Sequence, residues 1–239
     1  MIEFSSKYRS KQVEIMDDLQ LKGDEMKSLL TDLGKVNRRL GGNSITINGV
    51  KRLLKGRSKN ETIRIIDLGC GDGAILRKCA AFGKANGFNF QLIGIDANPF
   101  ILEEARNRSE GFQNINYIEM DIFSEEFKAM NCDIVLCTLF LHHFTFPEII
   151  KLMTKLVSLA KVGIVVNDLQ RSIIAFWLFR IFSQIFLKTS IAKHDGLVSV
   201  ARGFRKNEIV SFSEKIGNTK SHINWKWAFR YQWVINNNK

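Results

Sequence analysis

Ile65-Ile66-Asp67-Leu68-Gly69-Cys70-Gly71-Asp72-Gly73, running straight into a helical pattern over 72–85, is the stretch that decides the fold. An apolar strand ends in a Gly-x-Gly-x-Gly turn, and a helix begins with no intervening loop. Glycine admits positive φ and lets a ligand approach the backbone closely. The start of a helix offers unpaired N–H groups and the positive end of its dipole, which can hold a carboxylate. A glycine triplet alone is weak evidence, because many tight turns need glycine. Its place between strand and helix gives it weight.

Reading outward, Ile93-Gly94-Ile95-Asp96 ends a second apolar run. It follows the first by about 20 residues, the interval of dinucleotide-binding folds. Asp96 can accept hydrogen bonds from both ribose hydroxyls of an adenosine. The alternative is a helix cap ahead of Pro99, which suits a first helical turn. A third acid follows in Glu119-Met120-Asp121-Ile122, where Asp121 can accept from an adenine amino group and Ile122 can cover the ring. Strand patterns at 63–67, 90–96, 115–120, 133–137 and 163–167 alternate with helical patterns at 72–85, 99–108 and 146–159. That alternation predicts an α/β fold: a mostly parallel sheet with helices on both faces.

Two further stages flank this core. Residues 1–61 read as an N-terminal helical extension, with Leu29, Leu33, Val36 and Leu40 at helical spacing, Gly41-Gly42 as a stop and Ser44 as a cap for a second helix. After the fifth strand, about 171–216 reads as a cap-like helical segment within the 62–239 domain. It holds an apolar helix over 173–187 with Phe176, Trp177, Phe179, Phe182 and Phe186, then a loop with His194-Asp195-Gly196, then a helix near 206–216. Two alternating aromatic runs close the chain, at 221–225 and 227–235.

Composition narrows the class. The 239 residues are 45% hydrophobic and 25% charged, the balance of a globular protein rather than a disordered one, with disorder expected only in the first few residues and the Asn-rich end at Asn236 to Asn238. The net charge is +11, and 12 Lys and Arg against 3 Asp and Glu fall after residue 169. A solvated basic face is one reading; an anionic substrate, carrier protein or membrane surface is the other. Cys70, Cys79, Cys132 and Cys137 form no C-x-x-C pair, and no His stands at zinc-finger spacing, so free thiols and no metal centre are expected. No signal segment opens the chain, and the apolar helix falls short of the roughly 20 residues of a span. A cytoplasmic protein is expected, with peripheral contact at the inner membrane surface as an alternative.

Taken together, these motifs resemble the class I S-adenosylmethionine (SAM)-dependent methyltransferases over residues 62–167. The resemblance implies a Rossmann-like sheet of seven strands with an antiparallel last strand, and SAM as cofactor. It implies that Gly69 and Gly71 approach the methionine part, that Asp96 takes ribose, that Asp121 and Ile122 bracket adenine, and that Asp67, Cys70, Ala97 and Thr138 also belong to the cofactor site. NAD is the rival nucleotide; the Gly-x-Gly-x-Gly spacing and the third acid favour SAM. Thr138-Leu139-Phe140-Leu141-His142-His143-Phe144 follows strand four, where sheets of this kind bind ligands. The Asn/Asp-Pro-Pro-Tyr/Phe of nucleic-acid amine methyltransferases does not stand there.

Met16 to Asp18, Leu33 to Gly42, Asn167 to Arg171, His194 to Gly196 and Ser199 to Arg205 add a likeness to a bacterial small-molecule branch associated with polyketide and aryl-pigment pathways. That implies a lipophilic phenol, quinone or polyketide as acceptor, with O- favoured over C-methylation. His143, then His142, then His194 are the candidate bases, against a packed structural histidine. Asp168, Arg171 and Arg202 are candidate substrate contacts. The apolar helix reads as pocket wall, membrane contact, or core or dimer packing. An RNA methyltransferase and a catalytically silent SAM-binding partner protein remain the rival functions.

Overall fold

In the computed structural model, which describes residues 2–128, 130–217 and 220–237, the strands are β1 (Thr62–Leu68), β2 (Asn89–Asp96), β3 (Ile115–Glu119), β4 (Cys132–Thr138), β5 (Ala160–Leu169), β6 (Lys220–Lys226) and β7 (Arg230–Asn236). The helices are α1 (Gly23–Arg39), α2 (Gly42–Leu53), α3 (Ala74–Asn86), α4 (Pro99–Arg108), α5 (Glu125–Lys128), α6 (Phe146–Leu159), α7 (Ile173–Phe186), α8 (Ser190–Arg202) and α9 (Lys206–Lys215). One seven-stranded sheet runs β3-β2-β1-β4-β5-β7-β6. The first five strands pair in parallel, and β7 lies antiparallel between β5 and β6. This is the Rossmann-like sheet expected, with its antiparallel end.

Both faces are covered, which is why the strands read as near-continuous apolar runs. Ile65, Leu92, Ile134 and Leu136 point to a layer of α2, α3 and α4 that contributes Val50, Leu53, Leu76 and Leu102. Ile66, Ile95, Val135 and Cys137 point the other way, to α6 and α9 with Ile149, Leu156, Ile209 and Phe212. The α6 helix is fixed at its start by a capping box of Thr145 and Glu148. At the β5–β7 seam a Cβ on Gly163 would run into the Ile235 carbonyl oxygen, a backbone atom that cannot yield. Gly163→Val should therefore destabilise by about 3 kcal/mol or more through overpacking and loss of ladder pairing, read as a drop in the chemical-denaturation midpoint.

Several local expectations change. His194-Asp195-Gly196 lies inside α8, not in a loop. Thr189 caps that helix, and Gly196 is there because Phe179 of α7 occupies the space a Cβ would need. Ser44 sits inside α2 and donates back to the Gly41 carbonyl, while Gly41, at φ 68°, makes the turn between α1 and α2. Trp227 and Phe229 fall in the β6–β7 turn rather than on a strand. The leading residues are packed, not disordered: Phe4 meets Phe176 at 5.1 Å, and Arg9 donates to the carbonyls of His142, Phe144 and Arg202. Asn238, at the Asn-rich end, lies outside the described residues.

Candidate functional site

The glycine turn is built by its own backbone. Gly69, Gly71 and Gly73 have φ of 62°, 52° and 75°, in the left-handed region that glycine enters at no steric cost. Their surroundings differ. A Cβ on Gly69 would strike Phe140 and one on Gly73 would strike Tyr117, whereas one on Gly71 meets nothing within 4 Å. The open side of Gly71 faces a cavity of about 980 Å³. Asp67, Gly69, Cys70, Gly71, Asp96, Ala97, Asp121, Ile122 and Thr138 all line that cavity, so the structure gathers every residue expected at the cofactor site.

The carboxylates differ in their states. Asp96 ends β2, and its two oxygens accept the Gly71 N–H at 3.2 Å and the Asn98 N–H at 3.1 Å. Burial pushes its pKa above the ordinary carboxylate value, and those N–H donors oppose the rise. The helix cap before Pro99 is Asn98, whose side chain accepts from Phe100 and Ile101, so Asp96 is free of that duty. Asp67 is buried, with Oδ1 unpaired. Burial, with the Asp96 charge nearby, pushes it well above the usual carboxylate range. A buried, unpaired acceptor on the wall of a cavity fits an ammonium or hydroxyl brought by a ligand. The start of α3 is less open than its sequence suggests, because the Asp72 side chain accepts the Ala74 N–H and pairs with Arg108 at 2.8 Å. Arg38 of α1 brings a cation to the same cavity.

Beyond Thr138 the chain turns sharply. Leu139 holds φ at 54°, a strained value for a branched residue, and the cluster Leu141–His143 follows as one helical turn. Arg9 and Arg202 brace this turn from behind by donating to the His142 carbonyl at 2.7 and 2.9 Å; Arg202 donates to the His143 carbonyl as well. His142 is buried between two acids: Nδ1 lies 2.7 Å from Asp168, and Nε2 lies 3.2 Å from Glu14. Burial pushes its pKa down, but the two carboxylates outweigh that and raise it to about 9. His143 lines the cavity, with Nδ1 3.0 Å from Asp17.

Glu14, His142 and His143 offer ligand atoms within 4.8 Å of one another, a spacing that could hold a divalent ion. Glu14 instead faces His142 Nε2 at 3.2 Å and accepts from Ser199 at 2.7 Å, and His143 Nδ1 lies on Asp17. A proton held on buried His142 stabilises the fold while it stays bound. That contribution is complete below about pH 6.5 and is lost as pH rises through about 9. Thermal midpoints should fall between pH 7 and 10, and Asp168→Asn should flatten the fall; a flat wild-type profile contradicts the assignment.

Three sequence expectations do not hold. Asp168, Arg171 and Arg202 form no substrate rim. Asp168 is buried on His142; Arg171 is buried on Glu208 at 2.7 Å and on the Gly203 carbonyl at 2.7 Å; Arg202 holds main chain. They are polar because they tie the segments after β5 to the sheet. His194 pairs with Asp195 on α8, away from the cavity lining, which removes it as a base. Buried His142 carries its proton at neutral pH, which removes it too. Glu14 and Asp17, on the leading segment, went unassigned in the sequence, although Met16-Asp17-Asp18 is a visible acidic motif there.

Residues 65–163 match the family model described as a methyltransferase domain. They form a methyltransferase domain of the class I fold. The match spans β1 through the early part of β5, the portion that carries the glycine turn, Asp96, Asp121 and the histidine turn. The plantazolicin methyltransferase BpumL, solved with SAH, superposes with a TM-score of 0.62 at 15% identity, covering 89% of this chain and 95% of that one. Magnesium protoporphyrin IX methyltransferase from Synechocystis PCC 6803, also with SAH, gives 0.55 at 15% identity over 85% and 87%. The mRNA cap guanine-N(7) methyltransferase of Saccharomyces cerevisiae is 31% identical over 127 residues. That alignment takes in 48% of this chain and only 28% of the yeast protein.

Proposed function

We propose that this protein is a SAM-dependent methyltransferase acting on a small lipophilic molecule, and that the accepting atom is an acidic oxygen rather than carbon. The observation that carries the reading is one cavity lined by two chemically distinct sets of residues. One set is the open face of Gly71, the carboxyls Asp67 and Asp96, and Asp121 with Ile122. The other is His143 on Asp17, with the apolar side chains of Phe140, Phe144, Leu19 and Leu30.

SAM, when bound, supplies a methyl group activated by its sulfonium. Asp96 would take the ribose hydroxyls on lone pairs that the Gly71 and Asn98 N–H groups leave free. Asp67 would meet the amino group and Arg38 the carboxylate of the methionine part. The apolar walls exclude water and favour an aromatic or alkyl acceptor. His143, oriented by Asp17, would draw the proton from the acceptor hydroxyl as it is methylated.

The partial likeness to the yeast cap enzyme supports a second reading, RNA methylation, and the basic C-terminal third fits it. The phenylalanines beside His143 argue for a lipophilic acceptor instead. Incubation with methyl-labelled SAM, lipid extract and RNA decides between them. Label in the organic phase as a base-stable ether is the expected result. Label in RNA overturns the substrate class, and SAM binding without transfer to either leaves a silent binding protein.

A further inference from the structure

The outer face of α7 serves no purpose in the cavity. Ile173, Ile174, Trp177, Leu178, Ile181 and Ile185 stand on one helical stripe, each between 46% and 67% exposed. The opposite side of the helix is packed, through Ala175, Phe176 and Phe179, against α8 and the leading segment. Six large apolar side chains on one solvent-facing stripe cost solvation free energy and mark a docking surface rather than scattered exposure. A second apolar point lies beside it. Phe229 of the β6–β7 turn joins the cluster under α7, and that turn carries Trp227 at 71% exposure.

Charge says what covers this face. Arg180 lies over the Trp177 ring at 5.2 Å, Arg39 lies over Phe186 at 4.1 Å, and Lys193 reaches Gln184 on α7 at 3.4 Å. Lys188 follows the helix and Lys226 adjoins Trp227. No Asp or Glu occurs between residues 172 and 191, and the next acid, Asp195, is buried. A second copy docking the same stripe about a two-fold axis would bring these cations face to face. No helix among the described residues is long and apolar enough to cross a membrane. A flat apolar stripe, an indole at its side and a cationic border suit the headgroup boundary of an anionic bilayer.

We propose that α7 and the β6–β7 turn form a peripheral docking surface for anionic lipid membranes. The helix lies in the surface plane, about 21 Å long at 1.5 Å per residue. Ile173, Trp177, Ile181 and Ile185 enter the acyl boundary while Arg180, Lys188 and Lys226 meet phosphate. Docking this way places the lipid one helix layer from the cavity. The cluster of Met26, Leu29 and Leu30 joins α1 to Leu187 and Ile191, and Leu30, Leu33 and Arg38 of the same helix line the cavity. The inference stands independently of the methyltransferase reading.

The full-length protein should float with vesicles of equal parts phosphatidylcholine and phosphatidylglycerol, and far less with phosphatidylcholine alone or in high salt. Trp177→Ser/Ile181→Ser/Ile185→Ser should abolish flotation while SAM binding by calorimetry stays as in the wild type. Arg180→Gln/Lys188→Gln should weaken it about fivefold per residue. Because these side chains are exposed, the variants should fold, and their unchanged thermal midpoints check that. Three results overturn the proposal: no flotation with the anionic vesicles, equal flotation of the triple variant, or a lipid-free dimer by sedimentation that the triple variant dissolves. A protein that floats but shows no SAM binding would refute the methyltransferase reading and leave this one intact.

Discussion

Asp96→Ala is expected to weaken SAM binding roughly 10- to 150-fold, the loss of a charge-assisted hydrogen bond worth about 1.5–3 kcal/mol. The carboxylate does two things at once. It would accept from the ribose, and it holds the Gly71 N–H at 3.2 Å, so its removal also loosens the turn. Asp96→Asn, which keeps an oxygen but not the charge, should fall between wild type and Ala. Gly71→Val should be worse than either. A Cβ there meets no protein atom within 4 Å, so the cost appears as occupied ligand space together with a β-branched residue forced to positive φ. Calorimetry with SAM and with NAD reads all three variants. Wild-type SAM affinity in Asp96→Ala removes the assignment, and NAD binding in place of SAM moves the protein to dehydrogenase chemistry.

This end of the site was legible because its determinants are local. Gly69 to Gly73 adopt their turn from their own φ preferences, and the alternation of apolar strands with helices places Asp96 and Asp121 beside that turn without any long-range information. The acceptor end was not. Asp17 reaches His143 across 126 residues, Arg9 reaches the Phe144 carbonyl across 135, and no periodicity encodes such a contact. The three residues misread as a substrate rim share one cause. Asp168, Arg171 and Arg202 are polar residues clustered near a ligand-binding edge, and sequence does not distinguish a side chain aimed into the cavity from one aimed behind it. Burial does: Asp168 and Arg171 are at 1% and 3% exposure. The C-terminal charge excess likewise overstates the basic surface, since Arg171 and Arg230 are internal.

The two adjacent histidines make the strongest test of the chemistry. Their rings lie 4.3 Å apart, yet their surroundings assign them different tasks. His142, fixed between Asp168 and Glu14, is an imidazolium at neutral pH and has no lone pair to offer. His143 has one acid, Asp17, at one nitrogen and the cavity before it. A phenol-type acceptor, with a pKa near 10, is mostly protonated at pH 7 and needs a base to become a nucleophile. His143→Ala should therefore bind SAM normally and lose roughly 10²–10⁴-fold in turnover, recovering in part at high pH as the acceptor ionises unaided. Asp17→Asn should lose less, because the ring remains and only its orientation and its stabilisation as a cation are weakened. A merely structural His143 would lower thermal stability along with turnover and would show no recovery at high pH. Turnover of His143→Ala within a few-fold of wild type at pH 7 would leave the step to alignment of the two reactants alone, as in transfer to an acceptor that is already ionised.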